Sequence, residues 1–179
     1  SIQPSCREFP QLLMDFIAMT ELYRLSIVRR LFRNRLVGFN DHKHSMRVDW
    51  LSGACLLVRR TAIEAAGLMD EGFFMYSEEM EWQYRMQRHG WSVWFEPSAQ
   101  VIHLGGASTN AVPDARIVWQ YQSIFRFYRL YRNRQQRWLL RLIVWVATWP
   151  KVMYLAVCGR NHPRRRRLLR AFWQVLWMS

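Results

Sequence analysis

Three carboxylates, Glu78, Glu79 and Glu81, crowd into four positions of the stretch FFMYSEEMEWQYR, in a 179-residue chain whose formal net charge is +13. A carboxylate at the edge of a cleft can take a proton as a general base. Phe73, Phe74 and Tyr76 precede the acids and can wall such a cleft, and Gly72 frees the loop to present them. On residue types alone, a plainer account weighs more. In the first turn of a helix capped by Ser77, the dipole and exposed N–H groups stabilise an acid by about 0.3–1 kcal/mol. Glu81 falls roughly 200° around a helix from Glu79 and is expected in packing or a salt bridge. His103, at the end of an apolar run before GGAS, has a neutral imidazole able to bind a metal. A hydrogen-bonded, half-buried histidine is the stronger account of it. The metal-like DHKH at 41–44 sits in loop composition and reads as a solvated connection.

The elements that must position these groups follow from hydrophobic period. QLLMDFIAMTELYRLSIVRRLFRNR repeats Leu13, Phe16, Ile17, Tyr23, Ile27 and Leu31 at helical spacing, which predicts one long helix or two short ones. VDWLSGACLLVRR reads as a buried strand ending at Arg59, with Gly53 where something approaches the backbone closely. Thr61 and Glu64 have capping-box spacing and Gly67 supplies a stop, so a short helix follows. A helix from Ser77 to about His89 ends at Gly90, and SVWFEP and AQVIHL predict two strands joined around Pro97. The order indicates an α/β arrangement.

The run from Val48 to Thr109 resembles the C-terminal half of the catalytic domain in family 2 inverting glycosyltransferases, especially rhamnosyltransferase-like members that build cell-surface polysaccharides. VDWLSGACLLVRR, GLMDEGFFMYSEEMEWQYRMQRHGW and VWFEPSAQVIHLGGAST carry the resemblance, and SCREFP near the start is similar too. The resemblance implies an A-type, Rossmann-like fold that binds a nucleotide-diphosphate sugar in its N-terminal half and a glycan or lipid-linked acceptor in its C-terminal half. It implies Glu79 as the catalytic base, with Glu78 beside it, and His103 as a ligand of a divalent metal, Mn or Mg. Trp50, Ser52, Gly53 and Ala54 would line the sugar and acceptor site. Tyr76 would contact the acceptor, while Phe74 and Trp82 divide evenly between acceptor contact and core.

Two departures stand out. The base position carries Glu rather than the family's Asp, and the chain has no Asp-x-Asp sequence and none of the strand-turn-helix units that hold a nucleotide. The expectation is therefore a partial A-type fold lacking its donor half, a fragment inactive by itself. The first residue is Ser1, which fits that expectation.

Charge divides the chain. Residues 1–115 hold 12 Lys/Arg and all 13 Asp/Glu, whereas residues 116–179 hold 14 Lys/Arg and no acid. The first part is expected to be the acceptor-side half of the catalytic domain and the second a basic, Trp-rich helical tail. Apolar residues make up 51% of the chain, enough for a core. Cys6, Cys55 and Cys158 have neither disulfide-framework nor zinc spacing, which points to a reducing setting, and no signal peptide opens the sequence.

Leu139 to Val157 is long enough to weigh as a membrane span. Its nine Leu, Ile and Val residues contribute about −3 to −5 kcal/mol to insertion, against about 2.5–3.5 for Lys151. Spanning is marginal. Lying in the interface suits the interleaved Trp and Arg better, with RRRR at 164–167 meeting an anionic membrane surface. The expected setting is the cytoplasmic face of the inner membrane, peripheral or marginally inserted. Helices packed on the catalytic domain with a solvated basic face remain an alternative. The competing class is a non-catalytic basic protein that binds membrane or polyanions. Nucleic acid is disfavoured, because Arg is interleaved with Trp and Leu at helical spacing and no nucleic-acid motif appears.

Overall fold

The computed structural model describes residues 3–32, 42–104, 113–158 and 163–178. The chain forms two compact units, each discontinuous in sequence. The first takes Ser1–Phe9, Leu25–Phe73 and Ser77–Gly105; the second takes Pro10–Arg24, Phe74–Tyr76 and Gly106–Ser179. Packing thus divides the chain differently from composition, whose boundary lies at residues 115 and 116.

In the first unit, β1 (Cys6–Arg7) pairs antiparallel with β3 (Trp50–Leu51), placing Cys6 opposite Leu51 and Arg7 opposite Trp50. β2 (Met46–Val48) pairs antiparallel with β4 (Val93–Phe95). The described strands make these two ribbons and no parallel sheet, so the α/β expectation holds only as a mixture of helices with short strands. The helices of this unit are α2 (Ser26–Leu31), α3 (Arg60–Ala66) and α4 (Glu78–Arg88). Ala62 and Ala66 of α3 pack on Trp82 and Met86 of α4, with Val58, Ile63 and Trp91 around them. Trp82 is therefore core, and its indole N–H donates to the Gly67 carbonyl at 2.7 Å.

Glu81 is almost fully buried and accepts from Arg85 Nε at 2.7 Å. Arg85 also donates to the carbonyls of Ala66 and Leu68, satisfying groups that the end of α3 leaves open. Gly67 ends α3 with φ of 77°, in the left-handed region that a side chain resists.

Several sequence expectations are corrected. The long strand to Arg59 shrinks to β3, because Ser52 to Cys55 turn the chain and Leu57 is fully exposed. AQVIHL forms no strand: Val101, Ile102 and Leu104 are exposed and pair with nothing among the described residues. Thr61 caps nothing, since α3 starts one residue earlier at Arg60, whose Nε pairs with Glu64 at 2.9 Å. Ser77 stands at the N-cap of α4 but its side chain makes no capping bond, because its φ of 66° is left-handed rather than extended. The first helical stretch, by contrast, takes the two-helix alternative, α1 (Leu12–Met19), a 3-10 turn and α2, though of its predicted apolar stripe only Ile17 is fully buried.

The second unit is helical: α1, α5 (Pro113–Tyr131), α6 (Arg134–Val157) and α7 (Arg165–Trp177). Asn133 and Gln136 close a reciprocal capping box at the start of α6, with bonds of 2.9 and 3.3 Å. Phe127, Tyr128, Leu140, Val144 and Val175 fill the interior. Asp15 is partly buried there, accepting from the Tyr128 hydroxyl at 2.5 Å, while Arg132 lies over the Tyr128 ring. Burial lifts the Asp15 carboxyl to about 6, against the lowering effects of Tyr128 and Arg132.

Candidate active site

Helix α4 presents one polar ladder along its length: Glu79, Gln83 and Gln87, four residues apart and so on one face. The two glutamines fasten α4 to the β3 segment. Gln83 accepts from Leu51 N at 2.8 Å, donates to Leu51 O at 2.8 Å and donates to Glu79 O at 2.9 Å. Gln87 donates to the carbonyls of Val48 and Asp49. Because both backbone groups of Leu51 are spent on one side chain, the turn that follows β3 is fixed against the first turn of α4.

That turn carries Gly53, whose N–H donates to Glu79 Oε1 at 3.3 Å. A Cβ at Gly53 would meet Cγ, Cβ and Cδ of Glu79 at 3.4, 3.5 and 3.6 Å. The space beside this glycine is therefore taken by the Glu79 side chain, where sequence reasoning expected a substrate. The second oxygens of Glu78 and Glu79 are both buried without a hydrogen-bond partner among the described residues. Burial pushes the Glu78 carboxyl up, and the neighbouring Glu79 adds to the shift, while the Glu78 backbone N–H opposes it. The chain reaches these acids through Tyr76 and Ser77 at φ of 68° and 66°, two consecutive non-glycine residues in the left-handed region. Such backbone costs of order 1–3 kcal/mol per residue and fixes how the helix begins.

β1 supplies a residue that the sequence did not single out. Arg7 stands opposite Trp50, its guanidinium 5.4 Å from the centre of the indole. Burial lowers the Arg7 pKa, and the charge of Glu79 acts in the opposite direction. Trp50 is itself held by its indole N–H on Glu8 O at 2.8 Å, and Ser52 N extends the ribbon onto Ser5 O at 3.0 Å. Gln83 and Gln87 were not singled out either, although their four-residue spacing from Glu79 is a helical signal that could have found them. Arg7 had no such signal, because its place depends on strand pairing across more than 40 residues.

The structure thus brings Glu79, Gly53, Ser52 and Trp50 into one set of linked contacts, with Glu78 adjoining Glu79 and Ala54 exposed beside Gly53. Tyr76 belongs to the second unit, where Arg116 lies 5.6 Å from its ring. His103 is exposed, its Nδ1 paired with Gln3 Oε1 at 3.0 Å. Among the described residues no group of three His, Cys, Asp or Glu stands together as a metal site. A single imidazole bonded to an amide is not by itself a cage for a hard divalent ion, which takes several oxygen ligands. In the DHKH stretch Asp41 lies outside the described residues, while His42 Nε2 accepts from Ser5 N at 3.2 Å.

The sequence profile of the family described as Glycosyltransferase like family 2 matches residues 3–138. The chain is 32% identical over 120 residues to an N-acetylglucosaminyl-diphospho-decaprenol L-rhamnosyltransferase of Mycobacterium tuberculosis, covering 67% of this chain and 38% of that protein. It is 26% identical over 123 residues to the rhamnosyltransferase WbbL of Escherichia coli, covering 69% and 43%. A low-salt glycan biosynthesis hexosyltransferase, Agl10 of Haloferax volcanii, is 29% identical over 107 residues, covering 58% and 32%. The chain spans about two fifths of the length of the two rhamnosyltransferases. No solved structure matches.

Proposed function

Because the chain belongs to the glycosyltransferase-like family 2, we propose that it carries the acceptor side of an inverting transferase. The donor is a nucleotide-diphosphate sugar, with rhamnose the sugar that two relatives' names favour. The acceptor is a hydroxyl of a glycan or lipid-linked glycan in cell-envelope polysaccharide synthesis, at the cytoplasmic face of the inner membrane. Residues 1–115 form the acceptor-side half and residues 116–179 the membrane-associated tail; a donor-binding half is needed besides these for turnover.

The observation that carries the reading is the state of Glu79. One carboxylate oxygen is held by Gly53 N, and the other is buried with no partner among the described residues. That arrangement orients a base toward one incoming hydroxyl. The acceptor O–H gives its proton to Glu79 as its oxygen attacks the anomeric carbon. The bond from that carbon to the diphosphate breaks, the electron pair leaves with the nucleoside diphosphate, and the configuration inverts. Glu78, whose carboxyl is pushed toward its protonated form, is suited to donate a hydrogen bond to the sugar. Trp50 offers an aromatic face to a sugar ring.

The family's divalent ion, Mn or Mg, would supply charge compensation on the departing diphosphate. His103 is the only residue of this chain proposed to ligate it, and the further ligands would come from the donor half. The test is transfer by the chain joined to a donor-binding half, with the product's anomeric configuration read by NMR. Retention of configuration, or unchanged transfer in Glu79→Gln, overturns the assignment.

A further inference from the structure

Helix α6 divides into two faces that do different things. Leu140, Val144, Ala147, Thr148, Val152 and Leu155 are buried inside the second unit. The opposite face carries Trp138, Leu142, Trp145, Trp149 and Met153, all exposed and spaced by three or four residues, so that they form one stripe. Trp145 and Trp149 pack along it with their rings tilted and their centres 5.8 Å apart. A continuous stripe of exposed Trp, Leu and Met of this length is more than the scattered apolar residues of an ordinary surface.

We propose that this stripe is the face on which the protein lies in the plane of an anionic bilayer, rather than a segment that crosses it. The proposal rests on the membrane part of the preceding reading and is independent of the transfer chemistry.

Length and composition allow a crossing: Arg134–Val157 is long and apolar enough to span. The internal bonds of the second unit argue for the flat arrangement. Lys151, in the apolar stretch of α6, points to the buried side, where its Nζ donates to Met19 O at 2.8 Å and lies 3.7 Å from Glu21. Arg165 donates to Leu155 O and Ala156 O at 2.8 and 2.9 Å, fastening the start of α7 to the end of α6. A crossing helix would surrender these bonds and the packing of its buried face; a helix lying flat keeps all of them. Trp is the residue most at home at the depth of the headgroups.

Charge selects the occupant. Residues 116–179 carry 14 Lys/Arg and no acid, and α7 exposes Arg166, Arg167 and Arg170 in its first half and Trp173 and Trp177 in its second. Exposed basic residues in the same unit as an apolar stripe suit anionic headgroups above acyl chains.

The full chain is floated with vesicles of phosphatidylcholine alone or mixed with phosphatidylglycerol, at about 0.15 M salt. Binding is expected only with the anionic lipid. Leu142→Glu with Val146→Glu, both at exposed positions, should weaken it at least about tenfold while the helical circular dichroism and melting temperature hold. Arg166, Arg167 and Arg170 all changed to Gln should weaken it and flatten its salt dependence. Nitroxides on cysteines at 142, 146 and 153, with Cys55 and Cys158 replaced by Ser, then report depth. Equal shallow depths support the flat arrangement, whereas a spread approaching about 16 Å between 142 and 153 means a crossing and overturns it. Equal binding to neutral vesicles, binding unaltered by the two glutamates, RNA binding without vesicle binding, or a dimer in solution that the glutamates dissolve would each overturn it as well. Since none of these measurements needs turnover, their failure leaves the transferase reading to be judged by Glu79→Gln.

Discussion

Two partly buried carboxylates in different parts of this molecule are treated in opposite ways. Asp15, in the helical unit, accepts from the Tyr128 hydroxyl at 2.5 Å and has the charge of Arg132 acting on it. Glu79, in the other unit, is held by one backbone N–H at 3.3 Å and keeps an oxygen buried without a partner among the described residues. A buried polar atom left unpartnered costs about 1–3 kcal/mol. The Asp15 carboxylate has a hydroxyl partner inside its own unit, whereas Glu79 keeps bonding capacity that the described residues do not use. The difference sets Glu79, with its neighbour Glu78, apart from Asp15.

The largest effect expected from breaking this contrast is chemical. Glu79→Gln keeps the shape and can still accept from Gly53 N, but it cannot take a proton. In the complete transferase it should lower the transfer rate about 10²–10⁴-fold with little change in melting temperature. Steady-state rates beside thermal melts check it. A fall in melting temperature that accounts for the lost activity would make Glu79 another scaffold acid.

The counterpart for Asp15 is a dependence of stability on pH. Its carboxyl is raised from 3.8 to about 6 on folding, so the folded chain holds this proton more tightly than the unfolded one. The stabilisation is complete below about pH 4 and is lost as pH rises through about 6, up to roughly 3 kcal/mol in all. Denaturant melts from pH 4 to 7 should show this fall, and Asp15→Asn should remove it. A flat profile in the unaltered chain would mean that Asp15 is not the desolvated acid described.

Gln83 tests what fastens the candidate base in place. Gln83→Met leaves the N–H and carbonyl of Leu51 without the bonds this side chain supplies, at a cost of about 1–3 kcal/mol. Because Gln83 also binds Glu79 O, transfer should fall further than stability explains. Activity tracking the folded fraction alone would reduce Gln83 to a structural clamp.

How much of this was legible beforehand depends on the range of the forces involved. Helix α4, its stop at Gly90 and the turn of Glu81 away from Glu79 follow from spacing within a dozen residues, and the structure has them, with Glu81 on Arg85. The split of the first helical stretch and the core place of Trp82 were open alternatives that tertiary packing decided. AQVIHL failed as a strand because apolar composition does not supply a pairing partner, and the long strand to Arg59 failed at its own Ser-Gly turn. The candidate site was legible in its acids and its glycine, but not in Arg7, which only the register of β1 against β3 brings to Trp50. The oxygens of Glu78 and Glu79 that lack a partner among the described residues are likewise properties of the fold and of no local pattern.

Gly53→Ala should have the smallest effect on stability, and it bears on why the proposed base is a glutamate. Gly53 does not adopt a left-handed conformation, so alanine is not strained there. The new Cβ would lie 3.4–3.6 Å from the Glu79 side chain, within or at the edge of ordinary contact. Reduced freedom of the unfolded chain should then stabilise the protein by about 0.4–1 kcal/mol, a slightly higher melting temperature. Transfer should nevertheless fall, because the methyl group presses on the longer side chain that fills this space and misplacement at a reacting group is costly. A higher melting temperature with lower kcat and unchanged KM would mean that the glycine makes room for the base. A raised KM with kcat intact would instead mean that it makes room for the substrate, as the sequence first led us to expect.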